Sequence, residues 1–158
     1  MVKEKKQEFT LRITRANKSE LIVVLYDMVL EYLQDALMAY KENDRKKYKN
    51  DIGNAKNCID ELLQSLNPGY EISSTLKSLY YFYKRELSTA AILEKEEMVL
   101  PIIHMIRELR DAYEKVAKQD TSAPIMENTQ TVYSGLTYGK DSLTVDLSDQ
   151  GGNRGFRV

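Results

Sequence analysis

At 158 residues the chain is long enough to bury the core of one domain. Nearly a third of its residues are charged, yet the formal net charge is −1. That balance lacks the basic surplus that nucleic-acid binding calls for. The single cysteine, Cys58, excludes an intrachain disulfide framework and fits a reducing compartment. The opening MVKEKKQEF has no apolar stretch of the kind a secretory signal needs. The longest strongly apolar runs, 21–26 and 98–103, fall far short of the ~20 residues that span a bilayer. These observations predict a cytoplasmic protein with no membrane insertion.

Residues 1–16 are polar apart from Phe9, Leu11 and Ile13. Their alternation predicts a flexible, extended segment with one apolar edge, and a frayed terminus fits the same residues. Residues 17–40 follow as a long helix. Asn17 is a good N-cap, and Glu20 stands three residues later as its capping-box partner. At 100° per residue, Ile22, Tyr26, Val29, Leu33, Ala36 and Tyr40 form a core stripe. Leu21, Leu25, Met28 and Tyr32 form a second stripe beside it, and Leu30 and Leu37 lie on the other flank. The apolar arc is roughly 200° wide, against the ~100° that a core-facing helix shows. Two readings stay open: the helix is the centre of a bundle, or part of its arc is kept for a partner. Tyr26 lies on the innermost stripe, where core packing is expected, and Asp27 lies on the polar face with Glu20, Glu31 and Gln34.

The second helix, residues 44–66, carries Tyr48, Ile52, Ala55, Ile59, Leu62 and Leu66 at heptad spacing, a pattern suited to near-parallel packing. Asn67-Pro68-Gly69 ends it. The third helix, residues 73–93, presents Ile72, Leu76, Leu79, Tyr83, Leu87 and Ala90 as its core face. The run Tyr80-Tyr81-Phe82-Tyr83 covers about 300° of helix circumference, so it cannot all be buried on one side. Tyr81 then points outward with Arg85 and Ile92, and Phe82 sits at the edge with Leu93. The fourth helix, residues 97–118, tolerates Pro101 in its first turn, where the missing N–H has no intrahelical role. Val99, Ile102, Ile106, Leu109, Tyr113 and Val116 make its core face, and Leu100 points outward. After Asp120 the composition shifts: five of the seven glycines fall in residues 120–158. One short piece, 143–147, alternates. The segment reads as a disordered, polar and acidic tail.

Three short connections between four amphipathic helices predict an all-α, antiparallel up-down-up-down four-helix bundle over residues 17–119. It is flanked by a flexible N-terminal segment (1–16) and a disordered C-terminal tail (120–158). Nothing in the residues points to catalysis, a cofactor or a metal. The one histidine, His104, falls about 160° from the core face of its helix. Cys58 has no histidine to activate it, and no phosphate-binding glycine motif is present. What remains is surplus apolar surface: Leu21, Leu25, Met28 and Tyr32 on the first long helix, and Tyr81, Phe82 and Ile92 on the third. A contiguous patch of that kind would mark a partner site.

Residues 17–27, NKSELIVVLYD, resemble the first-helix signature of FliS, a family of bacterial flagellin-export chaperones. Glu108-Leu109-Arg110-Asp111-Ala112-Tyr113 is similar to that family's last-helix ending. The resemblance covers about residues 9–119. Met28 stands where the family usually has Gly, Phe9-Thr10-Leu11-Arg12-Ile13 replaces a tyrosine-containing N-terminal segment, and the tail is longer than usual. The resemblance implies a chaperone that holds the C-terminal segment of flagellin, prevents its premature polymerisation and delivers it to the flagellar export gate. It implies that Leu25, Tyr26 and Asp27 belong to the family motif. It also implies that the N-terminal segment, with Phe9, Leu11 and Ile13, caps the binding surface when no client is present. A structural or adaptor bundle acting as a homodimer is the alternative.

Overall fold

The computed structural model describes residues 1–126, and these are all-helical. Helix α1 spans Lys3–Arg15, α2 Lys18–Lys41, α3 Arg45–Ser65, α4 Glu71–Leu93 and α5 Val99–Gln119. A 3-10 turn, Glu96–Met98, leads into α5. Residues 143–147, with the rest of the expected tail beyond 126, lie outside the described residues.

The start of α2 is fixed by local chemistry. The Glu20 N–H donates to Asn17 Oδ1 at 2.9 Å, and the Asn17 N–H donates to Glu20 Oε2 at 3.0 Å. This is the reciprocal capping box expected from the sequence. Asp44 caps α3 by accepting from the Lys47 N–H at 2.9 Å. Pro101 sits in the first turn of α5, where its missing donor costs nothing. Helix α2 is the hub: it packs against α1, α3 and α5, while α4 meets α3 and α5. Its core stripe Tyr26, Val29, Leu33 and Ala36 is fully enclosed. The heptad seam of α3 is buried from Tyr48 to Leu62. Tyr48 closes its own polar end by donating its hydroxyl to the Ala90 carbonyl at 3.0 Å.

The structure overturns three expectations. Residues 3–15 form a helix, not an extended segment. Three apolar residues at 9, 11 and 13 fit period two, but Phe9 and Ile13 are also i,i+4 and share a helix face. They are buried, whereas Leu11 points to solvent and is not part of the packed edge. The core face of α4 is rotated relative to the reading from spacing: Ser73, Leu76, Tyr80, Tyr83, Leu87 and Ala90 are buried, and Ile72 is exposed. A run of four aromatic residues cannot fix a helix phase, and here Tyr80 goes inward because a buried hydroxyl partner awaits it. Val116, near the end of α5, is exposed instead of lining the core. Residues 120–126, the start of the segment expected to be mostly disordered, run back over the junction of α1 and α2.

Candidate functional site

Leu25, Tyr26 and Asp27 are consecutive on α2 and so point in three directions about 100° apart. Leu25 enters the hydrophobic core. Tyr26 goes to the centre of the molecule with no exposure. Its hydroxyl bonds to that of Tyr80, and its ring lies 5.6 Å from that of Tyr113 and 6.3 Å from that of Tyr80. One side chain thereby joins α2, α4 and α5. Burial pushes the Tyr26 and Tyr80 hydroxyls well above the usual tyrosine range, so both stay neutral and serve as a mutual donor and acceptor.

Asp27 faces the other way and joins α2 to α1 and α5. Arg12 Nη2 donates to Asp27 Oδ2 at 2.6 Å, and Arg110 Nε donates to Asp27 Oδ1 at 2.8 Å. Arg110 Nη1 reaches on to Glu114 Oε2 at 2.8 Å. The bond to Asp27, with added attraction from the charges of Asp27 and Glu114, holds the Arg110 guanidinium above its usual range. The Asp27 side chain is only 18% exposed, so these are charge-assisted bonds partly shielded from water. Such bonds contribute about 1.5–3 kcal/mol each. The sequence placed Asp27 on a polar face, and the arginines that claim it come from residues 15 positions before and 83 after it.

The two stretches that carry the family resemblance therefore meet in space. Asp27 pairs with Arg110, and Tyr26 stacks near Tyr113. The chain belongs to the FliS family. The model of that family, described as flagellar protein FliS, matches residues 1–120. A curated relative, the flagellar secretion chaperone FliS of Bacillus subtilis strain 168, is 25% identical over 108 residues, covering 68% of this chain and 81% of the relative. In this FliS-family chain the motif residues act chiefly as cross-links between helices, with Tyr26 as the central post and Asp27 as the outer tie.

The residues singled out for partner binding fall in three separate places. Leu25 and Met28 are buried in the core cluster, and Leu21 and Tyr32 are partly buried against it. Phe9 and Ile13 of α1 join the same cluster. Tyr81 is 52% exposed and lines a groove of about 840 Å³ with Leu63, Leu66, Tyr70 and Lys77, where α3 ends and α4 begins. Phe82 is half-buried, with its ring edge against Tyr83 and the Arg85 guanidinium 5.7 Å from its centre. Ile92 is highly exposed but stands 11 residues along α4 from Tyr81, about 16 Å at 1.5 Å per residue. Tyr70 lines the Tyr81 groove and was missed from spacing because it precedes the helix, whereas Ile72, assigned inward, is exposed but does not line that groove. A second groove, about 380 Å³, lies between α1, α2 and α5 and is lined by Arg12, Arg15, Val23, Val24, Glu114 and Lys118.

Two titratable groups sit apart from these surfaces. Burial pushes the Cys58 thiol up to about 12, so it stays protonated and packs as a small apolar group. Burial, with the Asp60 charge adding to it, pushes the Glu61 carboxyl up to about 7, and Glu61 Oε1 has no hydrogen-bond partner among the described residues. His104 is exposed beside Glu108. No group of three His, Cys, Asp or Glu among the described residues could hold a metal ion. None of their helices is long and apolar enough to cross a membrane.

Proposed function

We propose that the chain is a cytoplasmic flagellar secretion chaperone. It binds the C-terminal segment of flagellin, prevents its premature polymerisation and aids its delivery to the flagellar export apparatus. Membership in the FliS family and the name of the Bacillus relative support the chaperone class. The scaffold in this reading is an antiparallel up-down-up-down bundle of α2 to α5. Pairs such as Asp27 with Arg110, Ser19 with Asp120, Tyr48 with Ala90 and Asp60 with Lys84 fit that arrangement.

One observation carries the proposal. A short helix, α1, packs on α2 and commits only two large apolar side chains, Phe9 and Ile13, to the core cluster that also holds Leu25 and Met28. A client helix with an apolar face can replace it there in the helix-in-groove mode, with burial returning ~25 cal/mol per Å². Leu21, Leu25, Met28 and Tyr32 then form the inner contact surface, with Phe9 and Ile13 as its cap. Tyr81, Phe82 and Ile92 offer outer contacts along α4. No bond is made or broken in this activity, so no catalytic residue is required.

Co-expression with a flagellin C-terminal fragment tests the reading. A stable 1:1 complex is expected, weakened by Tyr81→Glu while the variant unfolds at the same denaturant concentration as the parent. A homodimer that captures no fragment would replace the chaperone with the adaptor reading.

A further inference from the structure

The segment after α5 makes a set of contacts of which the chaperone reading uses only the Ser19–Asp120 pair. Helix α1 ends at Arg15 and α2 begins at Lys18, so the elbow between them is Ala16 and Asn17. Both elbow residues are 3% exposed, which is unusual for a two-residue linker, and the chain beyond α5 bonds to both. The Ile125 N–H donates to the Ala16 carbonyl at 3.1 Å. Asn17 Nδ2 donates to the carbonyls of Asp120 at 3.2 Å and Ser122 at 3.4 Å. Ser19 Oγ donates to Asp120 Oδ2 at 2.6 Å. Met126 is buried and joins the core cluster.

Asn17 does two jobs with the two ends of one amide. Its oxygen caps α2, and its nitrogen holds the returning chain. Serine, threonine or aspartate would cap as well but could not offer the same pair of N–H donors. Asp120 shapes the turn from the other side. Its Oδ1 accepts from the Ser122 N–H at 2.9 Å, and the bonds from Ser122 and Ser19 hold its carboxyl down at about 2. It is therefore ionised, and an acceptor only, throughout the physiological range.

We propose that residues 120–126 are a strap that pins the α1–α2 elbow, so that α1 leaves α2 only when the strap is released. The proposal rests on the reading above, in which α1 covers the client surface, and it adds a control on that cover. The family match stops at residue 120, so all but the first residue of the strap lies beyond it. The strap has no helix or ladder of its own. It is held by a few hydrogen bonds and one anchored side chain, a low-stability element of the kind that opens locally. Met126 is covalently continuous with residues 127–158, so a partner engaging those residues acts on the anchor directly.

Hydrogen–deuterium exchange on the full chain and two variants tests this. Asn17→Asp keeps a good N-cap but sets a carboxylate against the Asp120 and Ser122 carbonyls. Met126→Ser removes the apolar anchor without touching the elbow. Both variants are expected to speed exchange of residues 3–15 about tenfold, a 1.4 kcal/mol change, while α3 and α4 keep their protection. Unchanged exchange of residues 3–15 in both variants would overturn the strap. A chain ending at Met126 should exchange like the full chain, and loosening of α1 there would also overturn it, by assigning the hold to residues beyond 126. Titration of the same variants with a flagellin C-terminal fragment separates the two ideas. Tighter binding supports both, whereas faster α1 exchange with unchanged affinity keeps the strap and removes the client surface from beneath α1.

Discussion

Between α2 and α3, the heptad residues Ile52, Ala55, Ile59 and Leu62 are buried with Val29, Leu33 and Ala36 in one apolar seam of the core. Between α2 and α1, two apolar anchors, Phe9 and Ile13, are joined by the Arg12–Asp27 ion pair, a Met1 amino group 2.6 Å from Asp35, and a returning strap. The first kind of seam gains from every methylene kept from water and separates only when the molecule unfolds. The second buries less apolar area and relies on partly solvated charges, which salt screens. That difference fits the proposal that α1 is a removable cover.

Predictions follow from the difference, the largest first. Tyr26→Ala removes the post between α2, α4 and α5 and strands the Tyr80 hydroxyl. It should cost about 3–5 kcal/mol in chemical denaturation. A loss under about 1 kcal/mol would move the structural centre elsewhere. Asp27→Asn leaves Arg12 and Arg110 facing a neutral amide. The expected cost is about 1–3 kcal/mol, with faster amide exchange in α1 and a smaller difference from the parent at high salt. Equal α1 protection in parent and variant would show that the apolar anchors suffice.

Glu61 gives the smallest effect and a defined pH dependence. Its carboxyl is raised from 4.5 to about 7, so between those values the folded state holds a proton that the unfolded chain has released. Stability contributed there is present below pH 4.5 and lost as pH rises through 7. Glu61→Gln should match the parent near pH 4 and exceed it by a margin that grows as pH rises toward 8. A pH-independent difference would mean that the carboxylate finds a partner when it ionises.

Features carried by local signals were legible in the sequence. The Asn17–Glu20 capping box, the α3 heptad, the early Pro101 and the outward Tyr81 and Leu100 all follow from short-range spacing. Residues whose placement depends on distant partners were not. Tyr80 turns inward because Tyr26, 54 residues away, offers a hydroxyl. Asp27 is a tie and not a solvated carboxylate because Arg12 and Arg110 converge on it. Helix α1 was misread because three apolar residues fit two periods, and only the exposure of Leu11 decides between them. The candidate partner residues were chosen by outward phase or surplus, which identifies apolar side chains but not their contiguity. Tyr81 and Ile92 proved to lie far apart on one helix, and Leu25 and Met28 lie inside the core cluster.

The most direct measurement is calorimetric titration of a flagellin C-terminal segment into the full chain and into a chain lacking residues 1–14. The account predicts 1:1 binding to both, about tenfold tighter without α1, since the client no longer has to displace Phe9 and Ile13. Equal affinity would contradict the cover, and no binding to either chain would contradict the chaperone function itself.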